Sequence, residues 1–479
     1  MNDATLNTIV ESGWDMTIEG KGVPGSRHLP IYDPVTGQAF AQAPDATVAE
    51  TDAAIEAAAA AFPGWSALSW DDRTARVRAF GAAIREENNS LARLLCREQG
   101  KPLEKAVSEI GAGLAYLEAY CAMRLEPEVC KDTEKQRIEL HHRPLGVVGA
   151  ITAWNYPLLL AIWKIAPALV AGNTVVVKPA PSTPLATLAL GRIGARVLPP
   201  GVLNVISGAT EAGERLTQHP SVRKITFTGS TETGKRIMAN ASTRLKRLTL
   251  ELGGNDAGIV LEDADPKAIA ADIFWAKFSN CGQVCAALKR LYVHRSIFEP
   301  LCAALSEVAA QVKIGPGFSS GVQIGPMQNR AQRDRMIETV HTSIAAGARL
   351  IYQSEVPAGD GYFYPITLLA EAPEDSPVVR SETFGPVLAI LPYDDVEDAI
   401  RRANDTEYGL GASVWSPDTA RATAIAQRLE AGSTWVNQHP SMDPNVPFGG
   451  IKCSGLGVEG GLRGLEEFTT IQVVNVKKQ

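Results

Sequence analysis

The stretch Val147-Val148-Gly149-Ala150-Ile151-Thr152-Ala153-Trp154-Asn155-Tyr156-Pro157 decides the fold. Residues 147–152 read as a strand, and Pro157 suits the first turn of a helix that runs over 157–171 and ends at Gly172. The same alternation then repeats. Thr174-Val175-Val176-Val177 is a strand before a helix over 183–197. Residues 201–206 form a strand before a helix over 211–218, and Lys224-Ile225-Thr226-Phe227 is a strand before a helix over 231–240. Strands alternating with such helices imply a parallel, doubly wound sheet, and these sheets bind dinucleotides at the carboxyl ends of their strands.

Upstream, residues 1–46 read as short strands and turns. Thr47-Val48-Ala49-Glu50 matches a capping box that opens an Ala-rich helix stopping before Pro63-Gly64. Further helices fill 71–123, with Pro102 marking a fresh start. Residues 127–143 alternate charged and apolar side chains, as in Gln136-Arg137-Ile138-Glu139-Leu140-His141, the pattern of a hairpin leaving the body. Downstream, a second α/β region spans about 254–450, and 471–476 is one more strand.

With 479 residues the chain exceeds one ordinary core, so two or more domains are expected. Its 45% hydrophobic and 21% charged residues are a globular composition. A net charge of −7 without a long Lys/Arg run argues against nucleic acid as a partner. The most apolar stretch, 157–177, is interrupted by Lys164, Pro167 and Asn173, so no membrane span is expected. Met1-Asn2-Asp3-Ala4 lacks the basic start of a secretory signal. Seven scattered cysteines without a repeated Cys-x-x-Cys fit reduced thiols in the cytoplasm.

Three stretches carry chemistry. Phe278-Ser279-Asn280-Cys281-Gly282-Gln283-Val284-Cys285 ends in a thiol, Glu251-Leu252-Gly253-Gly254 begins with a carboxylate, and Trp154-Asn155 offers a carboxamide. Those three groups suffice to attack, hydrate and stabilise a carbonyl. Singly, each has a plain structural reading: Cys as a small core hydrophobe, Glu at the surface, Asn as a cap or turn. Cys281 and Cys285 sit four apart with no His beside them in sequence, so no metal is expected. The usual Gly-x-Gly-x-x-Gly fingerprint is absent. In its place Gly229-Ser230-Thr231 follows a strand and opens a helix, where Gly229 can admit a phosphate and Ser230 can bond one. Lys178-Pro179 ends the strand 174–177, within reach of a ribose or phosphate, and Glu382 in Ser381-Glu382-Thr383-Phe384-Gly385-Pro386 can clasp two ribose hydroxyls.

Together these motifs, with Pro447-Phe448-Gly449-Gly450-x-Lys452-x-Ser454-Gly455, stand in the order found in the aldehyde dehydrogenase superfamily, which the chain resembles over about 30–475. The resemblance implies an α/β fold of three parts. These are a Rossmann-like cofactor domain (1–125 and 145–253), an α/β catalytic domain (254–453), and bridging strands (126–144 and 465–479) that make a homodimer or homotetramer. It implies Cys285 as nucleophile, Glu251 as general base, and Asn155 with the Cys285 N–H as oxyanion hole. NAD, with NADP possible, is the implied cofactor, held by Thr152, Trp154, Lys178, Pro181, Gly229, Ser230, Gly253, Glu382 and Phe384. Glu459 is implied in a supporting proton-relay or structural role.

The implied reaction is oxidation of an aldehyde to a free acid through a thiohemiacetal and a thioester. Presence of Glu251 speaks against the relatives that pass the acyl group to coenzyme A. Intact Cys285, Asn155 and Glu251 speak against a non-catalytic structural relative, and no His near the motifs speaks against a Cys-His hydrolase. Tyr156, Trp163, Val284 and Phe448 are expected to line the aldehyde pocket, with Tyr156 and Trp163 seven residues apart on one helical face. No Arg stands in these motifs to grip a distal carboxylate. Aromatic or medium-chain aliphatic aldehydes are therefore expected, with aminoaldehydes next and semialdehydes after them. Ala153 before Trp154, Asn255 after Glu-Leu-Gly-Gly, and Pro181 three residues after Lys178 depart from common family residues. The last replaces a Glu that many NAD-using relatives place on the adenosine ribose.

Overall fold

The computed structural model describes residues 13–478, and the reading of Met1–Ala4 lies outside them. The strands Arg247–Glu251, Val222–Thr228, Val147–Ile151, Thr174–Lys178 and Leu203–Val205 lie side by side in that order and run parallel. Gly455–Leu456 extends this sheet at one edge, and Met16–Ile18 with Lys21–Val23 at the other, all antiparallel. The chain enters at the central strand Val147–Ile151, builds outward to Leu203–Val205, then returns to the other side for Val222–Thr228. That reversal leaves a crevice above Ile151 and Phe227, which are partners in register.

A second sheet orders Arg349–Gln353, Thr367–Ala370, Val387–Tyr393, Leu288–His294, Asp256–Val260, Gly411–Trp415 and Ser433–Val436. Only its first strand runs antiparallel. Each large sheet has its own apolar core, built largely of Val, Ile, Leu and Ala. Their strands are buried along almost their whole length, as parallel strands covered by helices on both faces must be. A third sheet pairs Thr469–Lys477 with Gln136–Pro144 over nine residues, and Gln136–Pro144 with Glu128–Asp132. Among the described residues, no helix is long and apolar enough to cross a membrane.

Local signals explain most boundaries. Thr47 and Glu50 form the reciprocal capping box. The helix Leu103–Ala122 starts on Pro102, and Gly172 takes a left-handed φ of 96° after the helix Pro157–Val170. One boundary differs. The first long helix, Val48–Ser66, continues through Pro63 and Gly64. Buried Trp65 secures that last turn by donating from Nε1 to the carbonyl of Leu169 at 3.1 Å. Tertiary packing there outweighs the local breaker.

Asn173 ties three of these units together. Its buried Oδ1 accepts from the N–H of Leu145 at 2.7 Å and of Gly146 at 3.0 Å, and its Nδ2 donates to the carbonyls of Ala168 at 3.2 Å and Phe468 at 2.9 Å. Asn173→Ala would strand several buried backbone groups. It should lower stability by roughly 2–4 kcal/mol, read as a reduced denaturant midpoint.

Candidate active site

The register of the first sheet brings separate motifs to one level. Glu251 pairs with Thr228, Phe227 with Ile151, and Ile151 with Lys178. Thr152, Trp154, the Gly229-Ser230 turn, Pro181 and the Leu252-Gly253-Gly254 turn therefore leave neighbouring strand ends. Five residues after Glu251, Asp256 begins the second sheet and pairs with Leu288, three residues after Cys285. The base ends one sheet, and the nucleophile loop precedes a strand of the other.

That loop is a left-handed turn. Asn280, Cys281 and Gly282 all have positive φ, at 50°, 59° and 70°. Asn can adopt this conformation through local hydrogen bonding, and the Asn280 amide donates to the carbonyl of Asn155 at 2.9 Å. Gly282 is required: a Cβ there would stand 2.2 Å from the carbonyl oxygen of Gly385. The Asn155 amide in turn donates to the Gln283 carbonyl at 3.1 Å, leaving its second amide hydrogen for another acceptor. Buried Lys101 fixes the backbone of Asn155 from behind. Its ammonium donates to the Asn155 carbonyl at 2.9 Å, pairs with Glu109 at 2.5 Å and lies 3.9 Å above the Tyr156 ring.

Glu251 is buried and Cys285 partly so. Burial pushes the Cys285 thiol up to about 12, against the pull of Lys289. The Glu251 carboxyl is raised well above the ordinary range by burial first and by Glu459 second, with Lys164 opposing. Neither Glu251 oxygen has a hydrogen-bond partner among the described residues. Glu459 is itself held by Lys164 at 2.5 Å and by the Thr226 hydroxyl at 3.1 Å.

The crevice above Ile151 and Phe227 is a cavity of about 440 Å³. Its walls include Thr152, Trp154, Lys178, Pro181, Gly229 and Ser230. Among the described residues, the hydroxyls of Thr152 and Thr228 are buried there without partners, and the Lys178 ammonium donates to the Pro179 carbonyl at 3.2 Å. Burial lowers Lys178 to about 8. A dinucleotide's phosphates and ribose hydroxyls are the partners such groups lack. Phe384 packs edge-on to Trp154 with ring centres 5.2 Å apart, and Glu382 accepts from the Gly254 N–H at 3.2 Å. Gly253 leaves room for that carboxylate, since a Cβ would lie 2.6 Å from Glu382 Oε2.

A family model described as the aldehyde dehydrogenase family matches residues 23–474. The chain belongs to the aldehyde dehydrogenase family. It is 39% identical to a phenylacetaldehyde dehydrogenase of Pseudomonas fluorescens, covering 95% of this chain and 94% of that one. It is 34% identical to the succinate-semialdehyde dehydrogenase (NADP+) of Escherichia coli, covering 98% of each. The NAD+ complex of an aldehyde dehydrogenase from Bacillus cereus superposes with a TM-score of 0.97 at 32% identity, over 100% of this chain and 99% of that one. The fold is thus that of an NAD(P)-dependent oxidoreductase acting on aldehydes.

Against the sequence expectations, four placements differ in kind. Gly229 lacks a side chain because the Phe227 ring fills that space, 2.3 Å from where a Cβ would stand. Ser230 spends its hydroxyl as a helix cap, accepting from the Thr233 N–H at 3.3 Å. Tyr156 precedes the helix with φ −135° and ψ 68°, so helical phasing does not carry it onto the face of Trp163. Trp163 packs on Tyr116 instead, centroids 4.6 Å apart, while Tyr156 covers Lys101. Sequence proximity also placed no His near the cysteine, yet His439 puts Nε2 3.0 Å from the Ala286 carbonyl. Its burial lowers it to about 3, so the ring is neutral and Nε2 serves as donor to that carbonyl. Sequence reasoning missed Lys101, Lys289, Asp256 and Arg236, the last lining the cofactor cavity. Lys101 reaches the site from a distant segment, whereas Asp256, Lys289 and Arg236 stand just beyond the motifs, where only the fold shows which way their side chains turn.

Proposed function

We propose that this chain oxidises an aldehyde to the free carboxylic acid through a thioester on Cys285. The observation that carries the reading is the buried meeting of three groups around one loop: Cys285, the Asn155 amide on the Gln283 carbonyl, and unpartnered Glu251 at the end of the adjoining sheet. The Cys285 thiol gives its proton through water to Glu251, which passes it on to solvent; the sulfur adds to the carbonyl carbon, and the carbonyl π electrons move to oxygen. The spare Asn155 hydrogen and the Cys285 N–H receive that oxyanion in a largely buried site, where fixed donors act strongly. Thr152, Trp154, Lys178, Gly253, Glu382 and Phe384 would hold the dinucleotide, which when bound would supply the acceptor for the hydride, the C–H hydrogen with its electron pair, that the adduct must lose to become a thioester. Glu251 then takes a proton from water, whose oxygen attacks the thioester carbon. The C–S bond breaks, and its electrons return to Cys285. Lys164 and Thr226 hold Glu459, whose charge keeps Glu251 basic enough to take that proton.

Three finer assignments belong to the same reading. The first sheet with its helices (1–125 and 145–253) is the cofactor domain, the second (254–453) the catalytic domain. The three-stranded sheet (126–144 and 465–479) joins copies into a homodimer or homotetramer; exposed Ile471, Val473 and Val476 support this. A cytoplasmic location follows from seven free cysteines, kept as thiols. Aromatic or medium-chain aliphatic aldehydes are the substrate class. Trp163 and Phe448 belong to the apolar cluster against which Tyr156, Met442 and Cys285 pack, and Val284 adjoins Cys285. Lys101 is already neutralised by Glu109, and the Asp443 carboxylate acts on Tyr116 beside Trp163, raising its hydroxyl after burial does. An anionic semialdehyde meets a like charge there, whereas a cationic aminoaldehyde does not, which makes aminoaldehydes the second choice.

Glu251→Gln should stall deacylation, so that mass spectrometry finds an acyl adduct on Cys285; retained turnover with no adduct overturns the general-base role. Because burial and Glu459 raise Glu251, it protonates already above the usual carboxylate range. In the wild type, acidification should reproduce the same adduct, and turnover should recover as pH rises.

In kcat/KM, benzaldehyde and hexanal should exceed succinic semialdehyde; a tenfold advantage for succinic semialdehyde overturns the substrate class.

NAD should be favoured or comparable, with NADP usable. Exposed Pro181 offers no carboxylate to repel a 2′-phosphate, and Lys178 and Arg236 border the same cavity. Pro181→Glu should shift the NAD/NADP ratio of kcat/KM toward NAD by tenfold or more, about 1.4 kcal/mol. A ratio that stays put shows that this position does not read the 2′ group.

A further inference from the structure

The nucleophile loop rests on a lysine outside every motif. Lys289 is the second residue of the strand Leu288–His294, and its side chain is wholly buried. Its Nζ donates to the carbonyl of Val284 at 3.2 Å and to the carbonyl of Cys285. It also lies 3.6 Å from Oε1 of Glu382. Asp256 stands on the neighbouring strand, and His439 Nε2 is 3.6 Å from Asp256 Oδ2. Charges facing Lys289 are Asp256 and Glu382 of opposite sign, the ammonium of Lys277, and neutral His439.

Around the Cys285 thiol, Lys289 is the charge that favours ionisation, whereas Glu251, Asp256 and Glu382 oppose it. A thiol drawn partly out of water needs such a charge, because the thiolate is the nucleophile and burial disfavours it. Asn155 and the backbone N–H groups provide dipoles only.

We propose that Lys289 is the positioning residue that activates the nucleophile, gripping the carbonyls of Val284 and Cys285 and so fixing a positive charge against the backbone of the loop that carries the thiol. The proposal rests on the assignment of Cys285 as nucleophile. Lys289 acts through Cys285 and touches neither water nor aldehyde. Asp256 moderates it from the opposite side.

The pH dependence of Cys285 alkylation by iodoacetamide, followed by peptide mass spectrometry on the full chain, tests this without turnover. Lys289→Gln keeps an N–H donor but loses the charge. It should raise the alkylation midpoint by a unit or more and slow alkylation at pH 7 about tenfold. Lys289→Arg should recover most of that rate, and Asp256→Asn should lower the midpoint. An unchanged midpoint in folded Lys289→Gln overturns the proposal. If Lys289→Gln does not fold, a midpoint that fails to fall in Asp256→Asn overturns it instead. The nucleophile assignment fails separately, if enzyme fully alkylated on Cys285 still oxidises aldehydes.

Discussion

Parallel hydrogen-bond register is the constraint on which the site depends. Glu251 against Thr228, Phe227 against Ile151 and Ile151 against Lys178 bring the proposed general base and the lysine proposed to hold the cofactor to one edge. A one-residue slip would turn these side chains to the opposite face. The strands are buried on both faces, so a slip would also drive their apolar side chains out of two packed layers. Protection of the site and protection of the core are therefore the same interaction. The short turn from Glu251 to Asp256 then fixes how the carboxyl end of one sheet meets the start of the next.

Burial of charge is the second theme. Lys101–Glu109 and Lys164–Glu459 are ion pairs with side chains almost entirely hidden from solvent. Such pairs seldom add net stability, because desolvation offsets their attraction. Their value here is geometric. Lys101 holds the carbonyl of Asn155, and Glu459 stands beside Glu251 while bridged to a strand hydroxyl. Each pair converts electrostatic expense into fixed placement of an atom that reacts or receives charge.

Much of the arrangement was legible in the chain. Strand–helix alternation over 147–240 marked the sheet, the Thr47–Glu50 box and Gly172 marked helix ends, and 127–143 and 471–476 marked the separate antiparallel strands. Aldehyde chemistry came from motif order rather than from any one residue. What stayed hidden has a common physical origin. Pro63 inside a helix, His439 beside Ala286 and Lys289 under Cys285 are decided by contacts between residues far apart or by packing, which local patterns do not encode. Gly229 shows the converse: the residue was noticed, but not the ring of Phe227 that would crowd a Cβ there.

The pairing of Thr469–Lys477 with Gln136–Pro144, and of Gly455–Leu456 with the strand carrying Glu251, has a consequence in time. Synthesis delivers these two segments after every other strand of the three sheets. Until they emerge from the ribosome, Gln136–Pro144 presents one bare edge, and the strand of the base lacks its outer neighbour. Glu459, which lies between the two closing strands, arrives with them. A nascent chain thus carries Glu251 and Cys285 before it carries the strand that borders Glu251 and the Glu459 carboxylate beside it.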